Sequence, residues 1–253
     1  MILANKVALI TGASSGVGAR TAIQLAQQGV SVIINYANNK SGALSTLEAV
    51  HNLGGIGEIF QADVSVNEQC IALVNFCVEQ FGQLDIVINN AGTTDFVPHP
   101  DLTSLTDDIW HKTLNTNLLG PFYISRAAQP FLAKQNGGEI VMTSSIAGQT
   151  THGSSIAYCA SKAGLNSLTK TLAKVLGADN IRVNAICPGL IDGEWAAQGW
   201  GEHWEAAKNY TLDNSAIKRI STANDVAHSI INVLTGSDNM TGQIITLDSG
   251  LTL

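Results

Sequence analysis

The stretch that most constrains this chain lies near its start, where the apolar run Val7-Ala8-Leu9-Ile10-Thr11 breaks into Thr11-Gly12-Ala13-Ser14-Ser15-Gly16-Val17-Gly18. A helical pattern over residues 19–28 follows directly. Short aliphatic runs bounded by glycine read as strands, and an apolar spacing of three and four reads as a helix. Strand, glycine turn and helix in that order form a phosphate site. The glycines let the backbone come close to a pyrophosphate, whose charge meets the free N–H groups at the helix start. The spacing is Gly-x-x-x-Gly-x-Gly, which departs from the more common Gly-x-Gly-x-x-Gly.

The alternation continues to the end of the chain. Strand patterns recur at 30–34, 86–88, 139–144, 181–187 and 243–247, with helical patterns at 42–53, 68–81, 106–134, 155–176 and 224–234. Such alternation means an α/β fold, a doubly wound parallel sheet of the Rossmann-like kind with helices on both faces and ligands at the carboxyl ends of the strands. No repeat, low-complexity segment or linker interrupts the 253 residues, so one domain over 1–253 is expected. Apolar residues make up 45% and charged residues 13%, a balance that favours a packed globule over a disordered chain. A net charge of -7 with no Lys/Arg-rich run argues against nucleic acid and anionic membranes as partners. No apolar run reaches the roughly 18 residues that a membrane span needs. The first strand begins too close to Met1 for a cleavable signal, so a cytoplasmic location is expected. Cys70, Cys77, Cys159 and Cys187 lack C-x-x-C spacing and read as small buried hydrophobes. The histidines show no metal-ligand spacing, and no metal is expected.

The chemistry gathers in Ser154-Ser155-Ile156-Ala157-Tyr158-Cys159-Ala160-Ser161-Lys162. Residues at i and i+4 share one helix face, so this spacing puts the Tyr158 phenol beside the Lys162 ammonium. A nearby cation favours the phenolate, and Lys162 is therefore expected to pull Tyr158 below the usual value of about 10. That would make Tyr158 an acid or base of use near neutral pH. A carbonyl that accepts hydride develops negative charge on oxygen and needs a proton donor and a second group to hold that oxygen. Tyr158 fits the first role.

With Thr11 before it, the glycine spacing resembles the nucleotide motif of the short-chain dehydrogenase/reductase family in its compact form. The resemblance continues in Asn89-Asn90-Ala91-Gly92, in Asp63 after Ile59-Phe60-Gln61-Ala62, and in Asn117 within Asn115-Thr116-Asn117-Leu118-Leu119-Gly120. Ser145 precedes Tyr158 by 13 positions (158 − 145), which is the family's interval. The resemblance implies Tyr158 as acid/base, Ser145 orienting the carbonyl, Lys162 tuning Tyr158 and bonding the nicotinamide ribose, and Asn117 supporting a water relay. It implies a dinucleotide held by Gly12, Ser14, Ser15, Gly16, Val17 and Gly18 at the pyrophosphate. Tyr36, Asp63, Val64, Asn90, Ala91 and Gly92 would lie along the adenosine, and Pro188, Gly189 and Ile191 beside the nicotinamide. It also implies a homotetramer with the helices at 106–134 and 155–176 as contacts. One departure stands out: Gly193 replaces the threonine common four residues after Gly189, and with it a side-chain hydroxyl bond to the cofactor.

Cofactor choice turns on residues 35–40. An acid at position 36 would bond the ribose 2′-hydroxyl and repel a 2′-phosphate, and Tyr36 does neither. A basic residue at position 15 or 37, usual in NADP-preferring relatives, is absent too, leaving Lys40 and polar groups; NADP(H) is favoured slightly and NAD(H) stays open. The segment 193–211, with Trp195, Trp200 and Trp204, matches the family's substrate lid and reads either as aromatic packing or as a cover over an apolar or ring-containing substrate. Gln149 and His152 are expected to face the same pocket. The reading is an NAD(P)-dependent oxidoreductase, a carbonyl reductase acting on a small ketone or secondary alcohol. The alternatives are a 3-oxoacyl-carrier-protein reductase, against which Asn136 and Asp179 stand where such enzymes carry basic residues, and a non-catalytic dinucleotide sensor.

Overall fold

Strand β1 (Val7–Ile10) is buried on both faces, and its sequence is apolar throughout rather than alternating, as a central parallel strand requires. A computed structural model, which describes residues Met1 to Leu253, places β1 between β2 (Ser31–Tyr36) and β4 (Ile86–Asn89). The remaining strands of this sheet are β3 (Gly57–Gln61), β5 (Gly138–Thr143), β6 (Ile181–Pro188) and β9 (Ile244–Leu247), in the order β3-β2-β1-β4-β5-β6-β9. All neighbouring pairs are parallel. The order reverses between β1 and β4, and the crevice at such a switch point is where doubly wound sheets bind ligands.

Helices α1 (Gly16–Gln27), α2 (Lys40–Asn52) and α9 (Ala223–Gly236) cover one face, with Leu25, Val50 and Ile230 in its core. Helices α3 (Asn67–Phe81), α5 (Gly120–Lys134) and α6 (Ile156–Leu176) cover the other, over Leu73, Ile124 and Leu165. No helix is long and apolar enough to cross a membrane.

Three details differ from the sequence reading. Residues 57–61 form an edge strand whose half-buried, partly polar pattern hides it from a search for apolar runs. The helix expected over 106–134 is broken: α4 (Asp107–Leu114) passes through a π turn (Asn115–Leu119), in which the Gly120 N–H reaches back to the Asn115 carbonyl, into α5. Pro121 has no N–H to offer the carbonyl of Asn117, so the regular ladder cannot run through this point. Such turns concentrate at functional sites. Asn184, in the middle of β6, ties β9 in place by donating to the Met240 carbonyl (2.9 Å) and accepting from Gln243 N (3.0 Å). The segment 193–211 holds two helices, α7 (Glu194–Trp200) and α8 (Trp204–Asn214). A small parallel pair, β7 (Ile191–Asp192) with β8 (Ser221–Thr222), closes the base of that excursion.

Candidate active site

Two loops meet at the switch point, and Thr11 and Asn90 staple them together. Thr11 Oγ1 accepts from the N–H groups of Asn90 (2.9 Å) and Ala91 (3.0 Å), while Asn90 Nδ2 donates to the carbonyls of Thr11 (3.0 Å) and Gly12 (3.1 Å). Gly12 sits at φ +62°, and a Cβ there would stand 2.8 Å from Ala91 Cα, so no other residue fits. Ser15 precedes α1 without a side-chain cap, which leaves the first N–H groups of that helix free to meet an anion. Ser14, Ser15, Gly16 and Val17 line the groove with Asp63, Val64, Asn90, Ala91 and Gly92. An extended polar cradle ending at an uncapped helix start fits a dinucleotide.

The reactive groups lie further along this groove, which encloses about 2000 Å³. Helix α6 starts at Ile156 because the Ser155 hydroxyl accepts from the Tyr158 N–H. One turn separates Tyr158 from Lys162, whose Nζ lies 5.6 Å from the phenol ring centre. Ser145, just beyond β5, accepts from Ala147 N at 3.1 Å and faces the same groove as the Tyr158 phenol. One turn after Lys162, Asn166 accepts from Ser144 Oγ (2.7 Å) and donates to the Gly148 carbonyl (3.3 Å), which anchors the Ser145 loop to α6. Asn117, fully buried in the π turn, exchanges two hydrogen bonds of 2.8 Å with the backbone of Thr93 and donates to Ser161 Oγ.

The electrostatics differ from expectation. Burial is the largest influence on Tyr158 and pushes it up to about 12, the Ser145 side chain pulling only partly the other way. Lys162 does not lower it: its Nζ donates to the Thr143 carbonyl at 2.8 Å, and burial drives Lys162 itself down to about 8. Desolvation opposes the charged form of each group, and it is the largest influence on both.

Several residues read from the sequence fall outside the groove. The Tyr36 side chain is buried in the core with Val32 and Ile34, while its neighbour Asn35 turns to the glycine loop and accepts from Gly12 N (3.1 Å). Gly18 packs α1 onto the turn, where a Cβ would lie 2.5 Å from the Gly12 carbonyl oxygen. Gln149 points away and accepts from Thr246 Oγ1 at 2.9 Å. Asn117 stands one layer behind the wall. His152, Trp195, Trp200, Pro188, Gly189 and Ile191 do line the groove. So does Phe96, which the sequence reading passed over because its loop has no periodicity to mark it.

Comparisons with known proteins agree with this geometry. A family model described as enoyl-(acyl carrier protein) reductase matches residues 12–252. A 3-oxoacyl-[acyl-carrier-protein] reductase of Thermotoga maritima is 34% identical over 254 residues, spanning 100% of both chains. A protein of Streptomyces violaceoruber named as a granaticin polyketide synthase ketoacyl reductase is 34% identical over 244 residues, 96% of this chain and 95% of its own. Among solved structures, a 7α-hydroxysteroid dehydrogenase complexed with NADH and 7-oxo glycochenodeoxycholic acid superposes with a TM-score of 0.86 at 27% identity, covering 98% of this chain and 94% of that one. With the parallel sheet, the glycine turn at its switch point and the Ser145, Tyr158 and Lys162 cluster, the chain belongs to the short-chain dehydrogenase/reductase family of oxidoreductases, which act on C=O and CH–OH groups.

Proposed function

We propose that this chain is a carbonyl reductase that interconverts a neutral ketone with an apolar or ring-containing body and its secondary alcohol, with NADP(H) preferred over NAD(H). The observation that carries the reading is the convergence of Ser145, Tyr158 and Lys162 on a groove walled by Phe96, Trp195 and Trp200. A reduced nicotinamide, when bound, supplies the hydride. The chain's own groups manage the oxygen. Ser145 Oγ, fixed by Ala147 N, orients the carbonyl, and the Tyr158 hydroxyl delivers the proton to it. Lys162 would hold the nicotinamide ribose, and the Asn117 carbonyl, which Pro121 cannot cap, is the place for a relay water. Segment 193–211 serves as the substrate lid.

Aromatic packing supports a ring-bearing substrate: the Phe96 ring lies 6.2 Å from Trp195 and, edge-on, 5.7 Å from Trp200. The steroid ketone in the related dehydrogenase complex points the same way. A neutral substrate is favoured because Lys112, a cation lining the groove, is tied to Asp95 at 3.0 Å. The same pairing and the net charge of -7 disfavour an acidic acyl carrier, as do Asn136 and Asp179 at the docking positions. A homotetramer built on α4 to α6 belongs to this reading.

Steady-state oxidation of NADPH and NADH against cyclic, aromatic and acyclic ketones, with acyl-carrier thioesters alongside, tests it. Turnover fastest on a free ring-containing ketone is expected. Fastest turnover on the carrier thioester would move the assignment to the acyl-carrier reductase, and cofactor binding without any turnover would move it to a sensor.

Ala37, Asn38 and Asn39 line the adenosine end, together with Ser14 and Ser15, and present no carboxylate where a 2′-phosphate would sit. Ala37→Asp is therefore expected to raise the KM for NADPH by about 100-fold through like-charge repulsion, with NADH little affected. Equal KM changes for both cofactors would count against the 2′-phosphate position. Gly193 has φ 169°, extended backbone open to any residue, and a Cβ there meets nothing within 4 Å. It is also the N-cap of α7. Gly193→Thr should restore one hydrogen bond to the cofactor and tighten its Kd by about 5-fold; titration of intrinsic fluorescence reads the change.

A further inference from the structure

We propose that Phe96 is a specificity-determining residue that acts as the post on which the lid rests, with Gly199 as the notch that receives it. The inference rests on the reading of residues 193–211 as a lid over a ketone site.

Phe96 stands on a segment that is tied down on both sides. Thr93 is bonded through its backbone to Asn117, and Thr94 Oγ1 meets Ser154 Oγ at 2.7 Å. Val97 N donates to the Ser154 carbonyl (2.9 Å), and His99 Nε2 lies 3.1 Å from the Gly153 carbonyl. The backbone that carries the ring is thus fixed relative to the loop that leads into Tyr158. Across from it, α7 offers Trp195 and Trp200 with Gly199 facing the ring. A Cβ on Gly199 would stand 2.0 Å from Phe96 Cε2 and 2.2 Å from Cζ, far inside van der Waals contact, so either the ring or α7 must move.

Nothing else at position 199 calls for glycine. It lies within α7, outside the left-handed region, where alanine is the better helix former. Helix propensity alone therefore expects Gly199→Ala to stabilise α7, whereas contact with the ring expects α7 to be pushed off its seat. The two accounts differ in sign. Since Trp195 and Trp200 ride on the same short helix, the seating of Phe96 sets how far their rings stand from Tyr158, and so the width of the slot that a substrate ring enters.

A double-mutant cycle on Phe96→Ala and Gly199→Ala tests this, with Phe96→Leu as a milder partner should the alanine variant not fold. The readouts are KM and kcat for the best ring-containing ketone, the ratio of its kcat/KM to that of an acyclic ketone, and the tryptophan emission of the protein alone. Gly199→Ala is expected to raise KM for the ring-containing ketone by about 10-fold, to change kcat less, and to shift the emission to longer wavelength. With Phe96 shortened, the same substitution should change neither emission nor the substrate ratio. A Gly199→Ala effect that persists in full without Phe96, or no effect with Phe96 present, overturns the proposal. So does an emission coupling that leaves the substrate ratio unmoved. Absence of turnover in the unsubstituted protein would defeat the ketone-reductase reading instead, and the emission cycle would still decide whether Phe96 seats the lid.

Discussion

Replacement of Tyr158 by phenylalanine is expected to lower kcat for ketone reduction by about 1000-fold, the range that loss of a positioned general acid produces. The ring stays, so packing around this half-buried position is kept, and Ser145 Oγ retains its bond from Ala147 N. Cofactor affinity should therefore change little, since Lys162 keeps its bond to the Thr143 carbonyl. The size of the loss follows from the state of the phenol. Burial pushes Tyr158 up to about 12, so at neutral pH it carries the proton that the nascent alkoxide needs. Reduction uses that state directly; alcohol oxidation has to remove the proton first and should gain with rising pH. Single-turnover oxidation of NADPH by the variant, beside a fluorescence titration of the cofactor, measures both halves. A variant that keeps more than about a tenth of the wild-type kcat would take the proton-donor role from Tyr158.

That expectation depends on an environment the sequence did not disclose. Tyr158 and Lys162 are visible as a pair at helical spacing, but the balance between their attraction and their burial depends on β5 and β6, which arrive from elsewhere in the chain. Attraction alone would lower the phenol, and the surrounding core raises it. Side-chain parity explains Tyr36. In β2, Val32, Ile34 and Tyr36 share one face and enter the core, while Asn35 faces the glycine turn. Counting the strand in twos would have placed Asn35, rather than Tyr36, beside the dinucleotide site. Phe96 could not be counted at all, because its significance comes from Gly199 across the groove. The fold was far more legible. Its central strands are apolar on both faces, its glycine turn has a fixed order of strand and helix, and each of those signals is local. What stayed hidden was the contact between segments distant in sequence.

The largest effect on stability is expected at the opposite end of the sheet from the chemistry. Glu139 and Arg182 are register partners near the amino ends of β5 and β6. Glu139 Oε1 accepts from Arg182 Nε at 2.7 Å and lies 2.6 Å from its Nη2, while Nη1 donates to the Met240 carbonyl at 2.7 Å. Both side chains are buried, and Glu139 Oε2 has no partner. Arg182→Met keeps much of the volume but strands a carboxylate and a carbonyl in the core. It should cost about 3–5 kcal/mol, a large share of the stability of a domain, because a buried charge left unpaired loses its compensation. Removing both charges in Arg182→Met/Glu139→Met should recover most of that loss. The pair also sets a pH dependence. Burial holds Glu139 up to about 7 in the folded chain, above its ordinary 4.5. The folded state therefore binds this proton more tightly than the unfolded state, and the contribution, fully present below 4.5, is lost as pH rises through about 7. Urea unfolding across that window should show stability falling with pH in the wild type and a flatter profile in Glu139→Gln. A penalty below about 1 kcal/mol in Arg182→Met, the range of an exposed pair, would mean that water reaches this end of the sheet. Since neither residue touches the groove, kcat of the folded fraction should be unchanged, which separates this device for stability from the chemistry at the carboxyl ends of the same strands.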